Sequence, residues 1–70
     1  MKLSARNVLR GKVVDIVTGT VTSHVRIDIG GGTVITASIT NEAVADLGLT
    51  VGSTAAAVVK ASDVMVGVED

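Results

Sequence analysis

The chain has 70 residues, no cysteine, no aromatic side chain and a formal net charge of −1. This length allows one small domain over residues 1–70, and the missing cysteines exclude disulfides and thiolate-bound zinc. The charge gives no basic field for nucleic acid, and no apolar run reaches the roughly 18 residues of a membrane span. Residues 1–6 lack the apolar segment of a secretory signal, so we expect a soluble cytoplasmic protein.

The aliphatic composition predicts that the chain associates with itself. Apolar residues make up 47% of the sequence, and the mean hydropathy is +0.60. So small a domain cannot bury all of these side chains, and large exposed apolar patches usually mark interfaces. Since disulfides and a structural metal are excluded, oligomerisation is the remaining way to stabilise the fold. We therefore expect a homo-oligomer with aliphatic interfaces.

The first half of the chain predicts two long strands and a glycine hairpin. Residues 8–17 have apolar positions on both faces, which favours a strand buried on both sides, with Gly11 interpreted as a bulge or a bend. A tight turn at residues 18–19 leads to residues 20–29, whose period-two alternation is typical of a half-buried strand. Residues 30–32 are three glycines, which suit a hairpin with positive φ. A phosphate-binding loop is the alternative, but the Gly-Lys-Ser/Thr sequence of that motif is missing.

The second half predicts a third strand over residues 33–39 and a short helix over residues 41–47. Two further strands, over residues 53–61 and 64–68, are followed by a frayed acidic tail at residues 69–70. Thr40 is suited to cap the start of the helix and Gly48 to end it. Val44 and Leu47 are the expected inward-facing side chains of this helix. Five strands with one short helix between the third and fourth predict an all-β, OB-like barrel. The length of the first two strands leaves room for strands shared between subunits.

Hydrolytic catalysis finds little support in the sequence, and we predict no enzymatic activity. Ser23 and His24 are neighbours on one strand, so their side chains point to opposite faces, whereas a catalytic triad needs convergent side chains. His24 and Asp28 share a face but lie four residues apart. No second type of metal ligand clusters near His24, which we interpret as a surface or interface residue.

Nucleic-acid binding is the usual activity of OB-like folds. Proteins that bind single strands stack bases on aromatic side chains and line the groove with Lys or Arg. This chain has no aromatic residue and six cationic residues against seven acidic ones. The sequence therefore predicts no nucleic-acid partner.

Two short segments, one near each end of the chain, carry hydrogen-bond donors, and we expect the two segments to meet across a subunit boundary. They offer two hydroxyls, a carboxamide, one or two cations and backbone amides of small residues, a set that suits a fully ionised tetrahedral oxyanion. A protonated phosphate would leave its proton unpaired there, at a cost of about 1–3 kcal/mol. The candidate residues are Ser4, Ala5, Arg6, Asn7, Lys60, Ala61 and Ser62. The alternative is that Ser4 and Asn7 only cap a strand while Lys60 lies in solvent.

Three collinear parts of the sequence resemble the molbindins, the small Mop proteins. The opening is Ser4-Ala5-Arg6-Asn7 with Leu9, Gly11, Lys12 and Val13; the middle is residues 38–44 with 47–49 and 51–52; the close is residues 57–66. Together they cover essentially the whole chain.

The resemblance implies a cytoplasmic homohexamer, a trimer of dimers, that binds and stores molybdate or tungstate without an organic cofactor or direct protein–metal ligands. Oxyanion sites at subunit interfaces map onto residues 4–7 of one chain and residues 60–62 of a neighbour. A second type of site, on the threefold axis, maps onto Gly19, Thr20 and Val21, although this turn lacks a Lys often found there. The alternative is a structural or regulatory oligomerisation module whose anion binding is weak or vestigial.

Overall fold

A computed structural model of the chain describes residues 1–69. Within this range it contains β1 (Asn7–Thr18), β2 (Thr22–Gly30), β3 (Thr33–Thr40), α1 (Asn41–Leu47), β4 (Thr54–Val59) and a 3-10 turn (Ala61–Asp63). The strands form one antiparallel sheet in the order β3-β2-β1-β4. An all-β fold with one short helix between the third and fourth strands is therefore confirmed. The predicted acidic tail includes Asp70, which lies outside the described residues.

The hairpin between β2 and β3 forms where three glycines follow one another. Gly30, Gly31 and Gly32 have φ angles of +96°, +62° and +81°. Positive φ at both residues of a two-residue turn fits the right-handed twist of the strands, and only glycine adopts it without strain. The Asp28 carboxylate accepts a hydrogen bond of 2.8 Å from the Gly30 N–H. The predicted glycine hairpin is thus confirmed.

Helix α1 begins and ends where its capping residues predict. The Thr40 hydroxyl accepts a hydrogen bond of 3.0 Å from the Ala43 N–H, and Gly48 adopts the left-handed conformation with φ 64°. The prediction of two inward-facing side chains is right for Val44, which packs against the core, and wrong for Leu47, which is 68% exposed. The left-handed turn at Gly48 redirects the chain, so Leu49 packs against the core instead.

The core is small and lies on one face of the sheet. It consists of Val13, Val25, Ile27 and Ala57. On β2 the residues between the buried ones, His24 and Arg26, are exposed, which confirms the period-two alternation over that part of the strand. The prediction that β1 is buried on both faces is wrong within one chain, because Val14 and Val17 are exposed. No other part of residues 1–69 covers these two side chains, so this apolar surface is open to solvent.

The prediction of five strands is wrong, because the structure has four strands within residues 1–69. Residues 64–68 lie outside the sheet, and the Met65 side chain is 93% exposed. An extended segment becomes a strand only when a neighbouring strand pairs with it, and these residues find none within the described part of the chain. The barrel is also not closed by hydrogen bonds, since β3 and β4 form the two edges of the sheet.

The interpretation of Gly11 as a bulge is wrong as well. The irregularity in the β1–β2 pairing falls between Val13 and Asp15. Gly11 instead marks a close approach of two strands, because a Cβ atom there would overlap the backbone carbonyl of Asp28. The absence of a side chain at Gly11 therefore allows β2 to lie close to β1 beside the pair Lys12–Asp28.

Candidate functional site

The antiparallel pairing of β1 with β4 brings the two predicted donor segments to one end of the sheet. Asn7, the first residue of β1, lies opposite Val59, the last residue of β4. The Asn7 carboxamide Nδ2 also donates a hydrogen bond of 3.1 Å to the Val59 carbonyl oxygen. Residues 4–7 and 60–62, which we call the Ser4/Lys60 region, therefore continue from one pair of strands. This pairing lies within one chain, and a contribution from a neighbouring subunit stays a prediction.

The 3-10 turn that follows Lys60 occupies carbonyl groups and leaves amide groups free. The carbonyl oxygens of Lys60 and Ala61 accept hydrogen bonds of 2.9 and 3.3 Å from the N–H groups of Asp63 and Val64. The N–H groups of Ala61 and Ser62 take no part in a backbone hydrogen bond within residues 1–69. The last residues of the predicted fourth strand thus form a turn with unpaired donors. A strand there would have paired these amides with another strand.

The opening segment adds further donors to the Ser4/Lys60 region. The N–H groups of Ala5 and Arg6 also make no backbone hydrogen bond in the described part of the chain. Ser4, Arg6 and Lys60 are exposed, whereas Ala5 and Asn7 are half-buried. The region therefore combines free amides, hydroxyls and two cations, and it is open to water on the subunit surface. Because water screens charges, such a set binds an anion strongly only when something excludes the solvent.

The second predicted site, Gly19, Thr20 and Val21, forms an exposed turn that we call the Gly19 turn. The turn closes through a hydrogen bond of 2.9 Å from the Gly19 N–H to the Thr22 carbonyl oxygen. For this reason β2 begins at Thr22 and not at residue 20. The Gly19 turn follows the last residue of β1, so the two candidate sites lie at opposite ends of that strand.

Sequence reasoning missed two residues that hold the Gly19 turn. Asn41, the first residue of α1, donates from Nδ2 to the Gly19 carbonyl oxygen at 2.9 Å and from its backbone N–H to the Val21 carbonyl oxygen at 2.8 Å. Ser23 is 1% exposed, and its hydroxyl donates to Asn41 Oδ1 at 2.5 Å. A serine among aliphatic residues on the buried face of β2 was a signal, because a buried hydroxyl needs a partner.

An apolar cleft of about 520 Å³ lies between the two edge strands of the sheet. Its lining comes from β2, β3 and β4, together with Leu47, Leu49 and Met1. The sheet curls far enough that both edge strands contribute to the same cleft. Aliphatic side chains that would be hidden in a closed barrel are therefore accessible in the single subunit.

No metal centre is formed by the protein's own side chains within residues 1–69, where no group of three His, Cys, Asp or Glu residues lies close enough to hold an ion. His24 is exposed on β2 opposite Ser38, in agreement with its interpretation as a surface residue. In the same range, the structure contains no helix long and apolar enough to cross a membrane.

Comparison with known families identifies the class of this protein. The model of the TOBE domain matches residues 3–66, so the chain belongs to the TOBE-domain family. The chain is 55% identical over 69 residues to the probable molybdenum-pterin-binding protein of Haemophilus influenzae, covering 99% of this chain and 100% of that protein.

Solved structures give the same relationship. MopII from Clostridium pasteurianum matches with a TM-score of 0.89 and 45% identity, over 96% of this chain and 100% of MopII. The cytoplasmic molybdate-binding protein ModG, solved with molybdate bound, matches with a TM-score of 0.94 and 52% identity, over 99% of this chain and 49% of ModG. Within the TOBE family the chain is thus a relative of the Mop proteins, and the resemblance found in the sequence is confirmed.

Proposed function

We propose that this protein binds molybdate, without catalysing a reaction, and serves as an intracellular store of that oxyanion. The observation that carries the proposal is the junction of β1 and β4, where free amides, hydroxyls and two cations begin side by side at Asn7 and Val59. The relatives with this fold are named for binding molybdenum-pterin or molybdate. Tungstate has the same charge and shape and should compete for the same sites.

The chemistry of the Ser4/Lys60 region suits an anion that carries no proton. In the 3-10 turn the carbonyl oxygens of Lys60 and Ala61 are occupied, so they do not repel an anion, while the amides beside them are free to donate. Lys60 supplies a full positive charge, and the hydroxyls of Ser4 and Ser62 can turn to donate. Phosphate, which often carries a proton near neutral pH, would leave that proton unpaired. Sulfate carries none, so only the size of the pocket rejects it.

The oxyanion site requires a second subunit. Lys60 and Ser4 are exposed in the single chain. At 4 Å an opposite charge in water contributes only about 1 kcal/mol, and several times more where protein replaces the water. We therefore place the sites at the interfaces of a homohexamer, a trimer of dimers. The Ser4/Lys60 regions of two chains face each other there, so that residues 60–62 of one chain lie against residues 4–7 of its neighbour. Sites formed in this way repeat with the symmetry, so one oligomer holds several anions.

Exposed apolar surface supports this assembly. The cleft between β3 and β4 has a mostly aliphatic lining, and both strands are unpaired on their outer edges. Residues 64–68 are exposed and largely aliphatic. Open edges and aliphatic patches of this size are usually covered in stable proteins. We propose that backbone pairing between subunits uses these edges, and that residues 64–68 pack against a neighbour.

Equilibrium dialysis with molybdate tests the proposal. Saturable binding at micromolar concentration is expected, with more than one anion per oligomer. Tungstate should displace the molybdate, whereas sulfate and phosphate at the same concentration should displace it poorly. Absence of saturable binding, or equal displacement by sulfate, would contradict a molybdate-selective site.

The second candidate function is a structural oligomerisation module, which the exposed apolar cleft favours. The two functions differ in the response of the oligomer to molybdate. A ligand that binds only the native state raises its stability by about 2.7 kcal/mol at a hundred times Kd. A melting temperature that rises with molybdate and not with sulfate supports storage, and an unchanged melting temperature supports the structural module.

A further inference from the structure

The strands within residues 1–69 carry three lysine or arginine side chains, and all three are exposed on the outward face of the sheet. Lys12 lies opposite Asp28 in the β1–β2 pair, and Arg26 lies opposite an acidic residue of β1. These two charges therefore face an opposite charge across the strands. Arg10 instead lies opposite Ala56 of β4. In this part of the chain, Arg10 is the strand cation whose charge is not balanced by an acidic residue in register.

The surface between Arg10 and the Ser4/Lys60 region is uncharged. Arg10 and Arg6 are four residues apart, which corresponds to about 13 Å along an extended backbone. Between them, Val8 of β1 lies opposite Val58 of β4, and Val58 is 45% exposed. The positive charge of Arg10 thus lies about 13 Å from the proposed oxyanion site, and the strand pair that connects them carries no acidic residue at positions 7–10 and 56–59.

Charge elsewhere around the proposed site opposes an approaching anion. The net charge of the chain is −1, so an assembly of these chains is negative as a whole. Asp63 is exposed in the 3-10 turn, three residues after Lys60 and beyond the end of β4. Molybdate is a dianion, and the Asp63 carboxylate repels it on that side. The outward face of β1 and β4, which carries Arg10, is therefore the approach that electrostatics favours.

We propose that Arg10 is a steering residue, which guides molybdate over the outward face of β1 and β4 to the Ser4/Lys60 region. This inference rests on the proposed function, because it requires molybdate to bind at that region. The Arg10 charge attracts the anion before it is bound, and such a charge affects the association rate and loses its effect in salt. Lys12 and Arg26 steer less, because the acidic residues opposite them cancel their fields at a distance.

The test measures the affinity and the dissociation rate of molybdate separately in the intact oligomer. Equilibrium dialysis gives Kd, and stopped-flow transfer of bound molybdate to an excess of a chromogenic catechol gives koff. The association rate constant kon is koff divided by Kd. Arg10→Gln should lower kon about threefold at about 0.1 M salt and leave koff unchanged within about 1.5-fold. Arg10→Lys keeps the charge and should restore kon.

Lys12→Gln is the matched control, because it removes the same charge from the same face of β1 at a greater distance. Lys12 is six residues from Arg6, about 20 Å along the strand, which is about two Debye lengths at 0.1 M salt. This control should change kon by less than about 1.5-fold. At about 1 M salt the Debye length falls to about 3 Å, so kon of Arg10→Gln should equal that of the wild type.

The outcomes distinguish this inference from the proposed function. An unchanged kon in Arg10→Gln, an equal loss in Lys12→Gln, or a difference that persists at high salt would overturn the inference and leave the molybdate site standing. A rise in koff that accounts for the whole loss of affinity would also overturn it, because Arg10 would then hold the bound anion or support the fold around it. A wild-type protein that binds no molybdate would overturn both.

Discussion

The two ends of β1 present hydrogen-bond donors in different ways. The Ser4/Lys60 region carries two cations but has one side-chain hydrogen bond to hold it, from Asn7 to the Val59 carbonyl. The Gly19 turn carries no cation, yet Asn41 and the buried Ser23 hold it through three hydrogen bonds. The Ser4/Lys60 region thus offers positive charge, whereas the Gly19 turn offers donors that hydrogen bonds already hold in place. For a small anion these are separate sources of affinity, and they should respond differently to mutation and to salt.

The largest expected effect comes from the strand that joins the two regions. Gly11→Val would drive a side chain into the Asp28 carbonyl of β2 and should lower the free energy of unfolding by about 3 kcal/mol or more, because the backbone cannot yield without breaking the pairing. Urea denaturation measures it. Ser38→Val is the control, since Ser38 is exposed on β3 and a β-branched side chain there should cost less than about 0.5 kcal/mol. Equal stability of the two variants would disprove the close approach of β1 and β2.

At the charged end, Lys60→Ala should weaken molybdate binding at the proposed Ser4/Lys60 site by about 10- to 100-fold, the effect of losing a charged donor in a site shielded from water. Titration calorimetry of the oligomer measures it. Lys12→Ala is the matched control, because Lys12 is also exposed but lies in the middle of β1. An unchanged titration for Lys60→Ala would remove this residue from the site.

At the preorganised end, Ser23→Ala should lower the free energy of unfolding by about 1–2 kcal/mol, because the Asn41 carboxamide loses a partner in a buried position. Ser38→Ala on the exposed face of β3 should change it by less than about 0.5 kcal/mol. Thermal melts of the two variants give the comparison. A Ser23→Ala protein as stable as Ser38→Ala would show that the hydrogen bond to Asn41 contributes nothing.

The smallest effect is the most direct test of the difference between the two ends. Raising sodium chloride from about 0.05 to 0.5 M should weaken anion binding at the Ser4/Lys60 region by no more than a few fold, since salt screens a charge only weakly where protein excludes the water. Any anion binding at the Gly19 turn should change less, because that turn carries no cation. Titrations at three salt concentrations measure both. Equal salt dependence would show that the positive charge of Lys60 does not distinguish binding at the two ends of β1.

Features that depend on local sequence could be predicted. The glycines at residues 30–32 required positive φ, and Thr40 and Gly48 marked the ends of α1. The alternation of apolar and polar residues along β2 predicted which of its two faces is buried. In each case the residues that determine the structure are close together in the chain. The two donor segments could also be identified from the sequence, because their residue types show which hydrogen-bond donors they carry.

Features that depend on distant partners could not be predicted. Residues 64–68 have the composition of a strand but no partner in their own chain, and Gly11 is explained only by the approach of Asp28 from β2. The contact between Ser23 and Asn41 joins residues 18 positions apart. Asn7 and Val59, which pair with each other, are 52 positions apart. The sequence therefore predicted that the two donor segments meet, but it could not predict the register in which β1 pairs with β4.

Native mass spectrometry of the purified protein, with and without molybdate, tests the central claim that anion sites form where aliphatic subunits meet. We expect a hexamer, with added mass corresponding to several molybdate ions after incubation with molybdate and none after incubation with an equal concentration of phosphate. A lone 7.0 kDa particle that remains folded and binds no molybdate would contradict it.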